Sequence, residues 1–234
     1  MAGLRFVVTG TGRSGTTYAA QLYRAAGLTC GHEEVFTPRP GWRETAAPRS
    51  SLVGRLRQPV GQLREERRRS ALRLDGDASW MAAPRLPKVK AHRVLIVRHP
   101  ILVIRSFMGT RFFSDPTRNR AQRGYALAHM RVVGDDVLDT MRWWAFWNAL
   151  AADHADTVLR LEDLDADRFA SLLSSIGEPS PARRAAAAVE STPPDTNSSE
   201  RRGDSRGDLE FDDLPRGADR DALAAAARRF GYEL

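Results

Sequence analysis

The chain is poor in cysteine, lysine and long apolar stretches, and each shortage closes off a class of protein. With one cysteine, Cys30, an internal disulfide is impossible and nothing calls for an oxidising compartment. No apolar run approaches the ~20 residues that a membrane-spanning helix needs. The opening Leu4-Arg5-Phe6-Val7-Val8 is too short for a secretory signal and turns at once into glycines. A cytoplasmic protein without a transmembrane segment is the expectation. Lys88 and Lys90 are the only lysines, so arginine carries nearly all of the positive side of a formal net charge of +7. Genomic base composition accounts for such a bias. The charge draws anions such as nucleotides, acidic glycans or nucleic acid without choosing among them. Aromatic residues are not interleaved to stack on bases, so nucleic acid is not the expected partner.

What is present is enough for a packed core. At 234 residues and 42% hydrophobic content, the chain suits one domain over 1–234. Phe6-Val7-Val8 reads as a buried strand bounded by Thr9-Gly10. Thr16 to Ala26 follows with Tyr18, Ala19, Leu22, Tyr23 and Ala26 at helical spacing and Gly27 as its stop. A second strand is expected to end near Cys30-Gly31-His32. Further strands are predicted at Arg93–Val97 and Thr157–Leu161, and helices at Leu102–Phe107, Asp136–Ala152, Arg168–Ile176 and Asp219–Phe230, the last ended by Gly231. The aromatic stripe Trp143, Trp144, Phe146 and Trp147 is read as core. Strands alternating with helices predict an α/β fold, a P-loop-like parallel sheet flanked by helices. About 37–73 the pattern breaks into a Pro/Arg-rich excursion or lid, with a basic helix around Gln62–Leu72. The stretch from Pro193 to Asp208 reads as loop.

The segment richest in chemistry is Gly10-Thr11-Gly12-Arg13-Ser14-Gly15-Thr16-Thr17. It lies between a strand and a helix, where backbone N–H groups and the helix dipole favour an anion. Gly10 and Gly15 have the spacing of the nucleotide P-loop, yet Thr16 stands at the lysine position. That lysine reaches the outer phosphates in ATPases and GTPases, so its loss argues against ordinary triphosphate hydrolysis. Arg13 offers a planar fork of donors in its place. The G-x-G-x-x-G pattern at Gly10, Gly12 and Gly15 is a weaker signal, because no acidic residue clearly ends a following strand at the ribose position.

Gly12-Arg13-Ser14-Gly15-Thr16-Thr17 resembles the 5′-phosphosulfate loop of PAPS-dependent sulfotransferases, in the arginine form of tyrosylprotein sulfotransferases and many bacterial members. The resemblance implies a sulfotransferase fold and a metal-free donor, with Arg13, Ser14, Gly15, Thr16 and Thr17 holding the 5′-phosphosulfate. It also implies a 3′-phosphate site made by an arginine at a strand end and a serine eight positions on. Arg98 and Ser106 stand at that separation, and Arg98 follows a strand's carboxyl end, where α/β folds bind ligands. Trp143–Asn148 and Arg160-Leu161-Glu162-Asp163-Leu164 are similar to two further family segments. Arg201-Arg202-Gly203 sits where many members place a basic loop over the 3′-phosphate.

Sulfuryl transfer needs an acceptor held in line, a neutralised leaving group and a base. Arg13 and the loop amides suit the leaving group. For the base, Cys30-Gly31-His32-Glu33-Glu34 offers three candidates. By resemblance to a Gly-x-Glu in tyrosylprotein sulfotransferases Glu33 comes first, with His32 and then Glu34 behind it. Asp77-Ala78-Ser79-Trp80 either lines an acceptor pocket or belongs to the core. The expected activity is transfer from PAPS to an acceptor hydroxyl on a carbohydrate, lipid or small metabolite. A P-loop nucleotide kinase or other nucleotide-binding module is the alternative.

Overall fold

Phe6, Val7 and Val8 have no polar side chain to turn toward water, and they form the middle of a sheet. The structure, a computed structural model, describes residues 3–38, 74–193 and 209–234. Among them five strands, β1 (Phe6–Thr9), β2 (Cys30–His32), β3 (Gly76–Ala78), β4 (His92–Val97) and β5 (Thr157–Arg160), pair in the order β2-β3-β1-β4-β5. Every pairing is parallel, with Val8 opposite both Ala78 and Val94 and with Val97 opposite Arg160. The α/β expectation is met.

Helices cover both faces, which is why the central strands are continuous apolar runs. They are α1 (Thr16–Ala25), α2 (Pro100–Met108), α3 (Arg120–Leu127), α4 (Asp136–Ala152), α5 (Ala166–Ser175), α6 (Pro181–Ser191) and α7 (Ala218–Arg229). Alternate residues of each strand enter opposite cores. Val7, Leu95 and Val97 pack with Trp143, Trp144 and Trp147 of α4 and with Phe107 of α2. Phe6, Val8, Val94 and Ile96 pack with Leu22 and Tyr23 of α1 and Phe169 of α5. The three tryptophans are core as expected, but Phe146, expected to join them, is exposed, because it falls outside their face of α4.

Among the described residues, one strand and two α-helices escaped sequence reasoning. Strand β3 is three residues long and includes Gly76 and Asp77, so no apolar run announces it. Helices α3 and α6 each bury only two side chains, Tyr125 and Ala126 in one, Ala185 and Ala188 in the other. Too few apolar positions are left to show a helical period. Trp80 packs into the core: it opens a 3-10 helix (Trp80–Lys88), and its ring meets Trp143, Trp147 and Tyr125. Most of the excursion predicted at about 37–73, its helix at 62–72, and Arg201 and Arg202 lie outside the described residues.

Candidate nucleotide site

The carboxyl ends of β1, β3 and β4 present their loops side by side, and hydrogen bonds join the first two. Thr9 Oγ1 at the end of β1 donates to the Ser79 carbonyl at 2.9 Å. Ser79 Oγ donates to the Phe36 carbonyl at 2.7 Å, tying in the segment that follows β2. All three residues are fully buried, so these bonds fix the strand ends without competition from water.

The Gly10–Thr17 loop leaves β1 and enters α1 at Thr16. The Ser14 N–H donates to the Thr11 carbonyl at 3.1 Å, and the Thr11 and Ser14 hydroxyls are bonded to each other. Arg13 has φ +68° and Gly15 has φ +93°. Left-handed backbone at alternating positions turns amide N–H groups toward a common concavity. Gly15 is required twice over, by its φ and because a Cβ there would lie 2.7 Å from Leu161 Cδ1. Arg13 adopts the same region as an ordinary residue, at a cost of order 1–3 kcal/mol that marks functional segments.

Arg98, at the end of β4, directs Nη1 to the Arg13 carbonyl at 3.2 Å. Arg13 Nε donates to Ser106 Oγ at 2.6 Å, from the loop to a buried hydroxyl on α2. Arg13, Arg98 and Ser106, from three separate stretches of sequence, therefore meet. Arg13 extends its side chain toward Ser106, joining the loop to the Arg98 pair. Leu209 lies against α2 one residue from Ser106: its carbonyl accepts from Arg105 Nε at 3.0 Å.

The candidate bases occupy the other flank of the loop. His32 Nε2 lies 3.1 Å from Thr17 Oγ1 and 3.4 Å from Thr16 Oγ1. Burial, and then the Arg24 charge, hold its pKa below the ordinary value, so it is neutral near pH 7. Glu33 has φ +58°, and its N–H donates to the Ala78 carbonyl at 3.1 Å. Burial, and then the charge of Asp77, push its carboxyl up to about 7, against a hydrogen bond from the Trp80 side chain. A carboxyl poised there is suited to general-base work. The Glu34 N–H is turned inward to Asp77 Oδ1 at 3.1 Å.

Asp77, read from the sequence only as part of a pocket lining or the core, orders the turn that follows β2. It is fully buried and accepts the N–H groups of Glu34, Val35 and Phe36 at 3.1, 3.2 and 3.1 Å. Those three bonds hold the turn that displays Glu33 in its left-handed conformation. The pairing of Gly31 with Asp77 across β2 and β3 brings them together from 46 positions apart. A Cβ on Gly31 would collide with Asp77 Oδ1 and come within 2.8 Å of Glu34 Cβ. Gly31→Ala is accordingly expected to lose about 1–3 kcal/mol in urea unfolding, through displacement of the Asp77-bound turn. An unchanged midpoint would show that the turn has slack.

Among the described residues no group of three or more His, Cys, Asp or Glu is arranged to hold a metal ion. Nor is any helix among them long and apolar enough to cross a membrane. No protein-family model and no curated protein matches the chain. Among solved structures it is similar to the sulfotransferase domain from the Synechococcus PCC 7002 olefin synthase, with a TM-score of 0.49 and 17% identity over 99% of this chain and 95% of that one.

Proposed function

We propose that this chain is a sulfotransferase that takes a sulfuryl group from PAPS and delivers it to an acceptor hydroxyl. The observation that carries the reading is the meeting of Arg13, Arg98 and Ser106 beside a phosphate-type loop, with a raised carboxyl on the opposite flank. Two arginines and a buried hydroxyl at one end, and loop amides with Thr16 and Thr17 at the other, suit an adenosine nucleotide bearing phosphate on both sides of its ribose. The donor, when bound, supplies an activated sulfuryl group.

The rest of the chemistry falls to the chain. Arg98 and Ser106 grip the 3′-phosphate, and Ser14, Gly15, Thr16 and Thr17 orient the 5′ end. Arg13 neutralises charge developing on the leaving phosphate, which requires it to exchange its bond to Ser106 for the ligand. Glu33 takes the proton from the acceptor hydroxyl, while neutral His32 braces the Thr16 and Thr17 hydroxyls. Arg201 and Arg202 are proposed to add charge at the 3′-phosphate on sequence grounds alone. The acceptor belongs to the broad class of hydroxyl-bearing carbohydrates, lipids and small metabolites.

A thermal-shift comparison separates this reading from that of a nucleotide kinase. Adenosine 3′,5′-bisphosphate at about 100 times its dissociation constant should stabilise by about 2.7 kcal/mol. For a chain of this size that is roughly 5–10 °C in Tm, expected equally with or without EDTA. A shift given by ATP with Mg²⁺ and not by the bisphosphate would refute the assignment.

A further inference from the structure

Three consecutive residues around Arg98 are each held by a side chain from a different part of the chain. The Val97 carbonyl accepts from the Tyr232 hydroxyl at 3.1 Å, and the Arg98 carbonyl accepts from the Trp144 indole N–H at 2.9 Å. The His99 N–H donates to Glu162 Oε1 at 2.9 Å. The single Tyr232 hydroxyl proton is shared with Glu162 Oε2 at 2.7 Å. Tyr232 and Glu162 thus close a bridge over the exact backbone step from which the Arg98 side chain departs.

The bridge is itself braced. Tyr232 is buried, with the His99 ring edge-on at 5.2 Å and the Arg160 guanidinium 5.4 Å from its ring centre. Arg160 Nη1 donates to the Gly231 carbonyl at 2.8 Å, and its Nε and Nη2 hold Asp163 at 2.8 Å each. Ordinary packing of the segment after α7 needs only the apolar face of the Tyr232 ring. Its hydroxyl is spent on the last residue of β4 and on the carboxylate that holds His99.

The geometry points to Tyr232 and Glu162 as positioning residues for the donor site, which act through Arg98 and set how tightly a 3′-phosphate is held. The inference rests on the donor-binding reading above and adds to it a part of the chain that touches no ligand. An arginine fork binds a phosphate well only when its backbone origin is fixed to a fraction of an ångström, and outer partners of that kind tune affinity by about tenfold or more.

Calorimetric titration of adenosine 3′,5′-bisphosphate and of adenosine 5′-monophosphate tests this on Tyr232→Phe, Glu162→Gln and Arg98→Ala. Tyr232→Phe keeps the ring and its packing and removes only the hydroxyl. It is expected to weaken the bisphosphate about tenfold and the monophosphate less than twofold. Glu162→Gln should move the same ratio in the same direction, and it carries the test if Tyr232→Phe does not fold. In an Arg98→Ala background the Tyr232→Phe effect should vanish, since it has nothing left to act through. A Tyr232→Phe protein with a lowered Tm and an unchanged ratio overturns the inference, as does an effect that adds in full to Arg98→Ala. An Arg98→Ala protein with the parental ratio overturns the donor reading itself, and the inference with it.

Discussion

Arg98→Ala is expected to weaken adenosine 3′,5′-bisphosphate by about 100-fold while leaving adenosine 5′-monophosphate within a few-fold of its parental affinity. Hydrogen bonds to a charged partner contribute roughly 1.5–3 kcal/mol each, and a guanidinium fork offers two to one phosphate. Loss of both at the lower end of that range, about 3 kcal/mol at 1.4 kcal/mol per tenfold, gives the stated figure. The substitution also frees the Arg13 carbonyl, which Arg98 Nη1 now holds at 3.2 Å, so a small loss for the monophosphate is built into the geometry. Arg98→Lys should fall between the two, because a lysine keeps the charge and lacks the planar fork. Titration calorimetry at one fixed salt concentration reads all three. Equal weakening of both nucleotides in Arg98→Ala would place Arg98 in loop architecture and away from the 3′-phosphate.

Glu33→Gln should reduce kcat by about 10²–10⁴ with nucleotide affinity preserved. The pH dependence gives an independent check. The base works as the carboxylate, so parental activity is expected to climb about tenfold per unit toward pH 7 and to level off above it, following the Glu33 carboxyl at about 7. In Glu33→Gln that limb should disappear along with most of the rate. If activity and limb survive in Glu33→Gln and both are lost in His32→Gln, the base is His32.

The same carboxyl predicts a stability effect of definite sign. A glutamate in the unfolded chain releases its proton near 4.5, whereas the folded protein keeps it to about 7. Between those values the folded state binds more protons than the unfolded one, so Glu33 takes stability away as pH rises through the window. Glu33→Gln stays neutral and escapes this loss. Its Tm should draw ahead of the parent's from pH 4.5 to 7, with a constant lead above. A strained turn and a desolvated carboxyl next to Asp77 are unfavourable for the fold and useful for proton abstraction.

How far these features could be read from the chain alone depends on how local each one is. The Gly10–Thr17 loop is contiguous, and its glycines and hydroxyls sit where strand gives way to helix, so residue order carried its conformation. Arg98 and Ser106 are eight positions apart on one strand–helix unit, and the resemblance to a known family, not their spacing alone, paired them; Arg13 joins them in the structure. The apolar runs of β1 and β4 likewise announced a sheet covered on both faces. The sequence left Asp77 and Trp80 between a pocket lining and the core. Their partners, the turn after β2 and the tryptophans of α4, lie more than 40 positions away, and only pairing of β2 with β3 brings the turn to Asp77. Sequence ranked Glu33 ahead of His32 and Glu34 only by resemblance, with no physical feature to tell them apart. The tertiary structure separated them, because packing turned His32 onto the Thr17 hydroxyl, buried the Glu33 carboxyl beside Asp77 and tied the Glu34 backbone inward. Local chemistry is written in residue order, but side-chain direction and desolvation depend on which distant segments pack together.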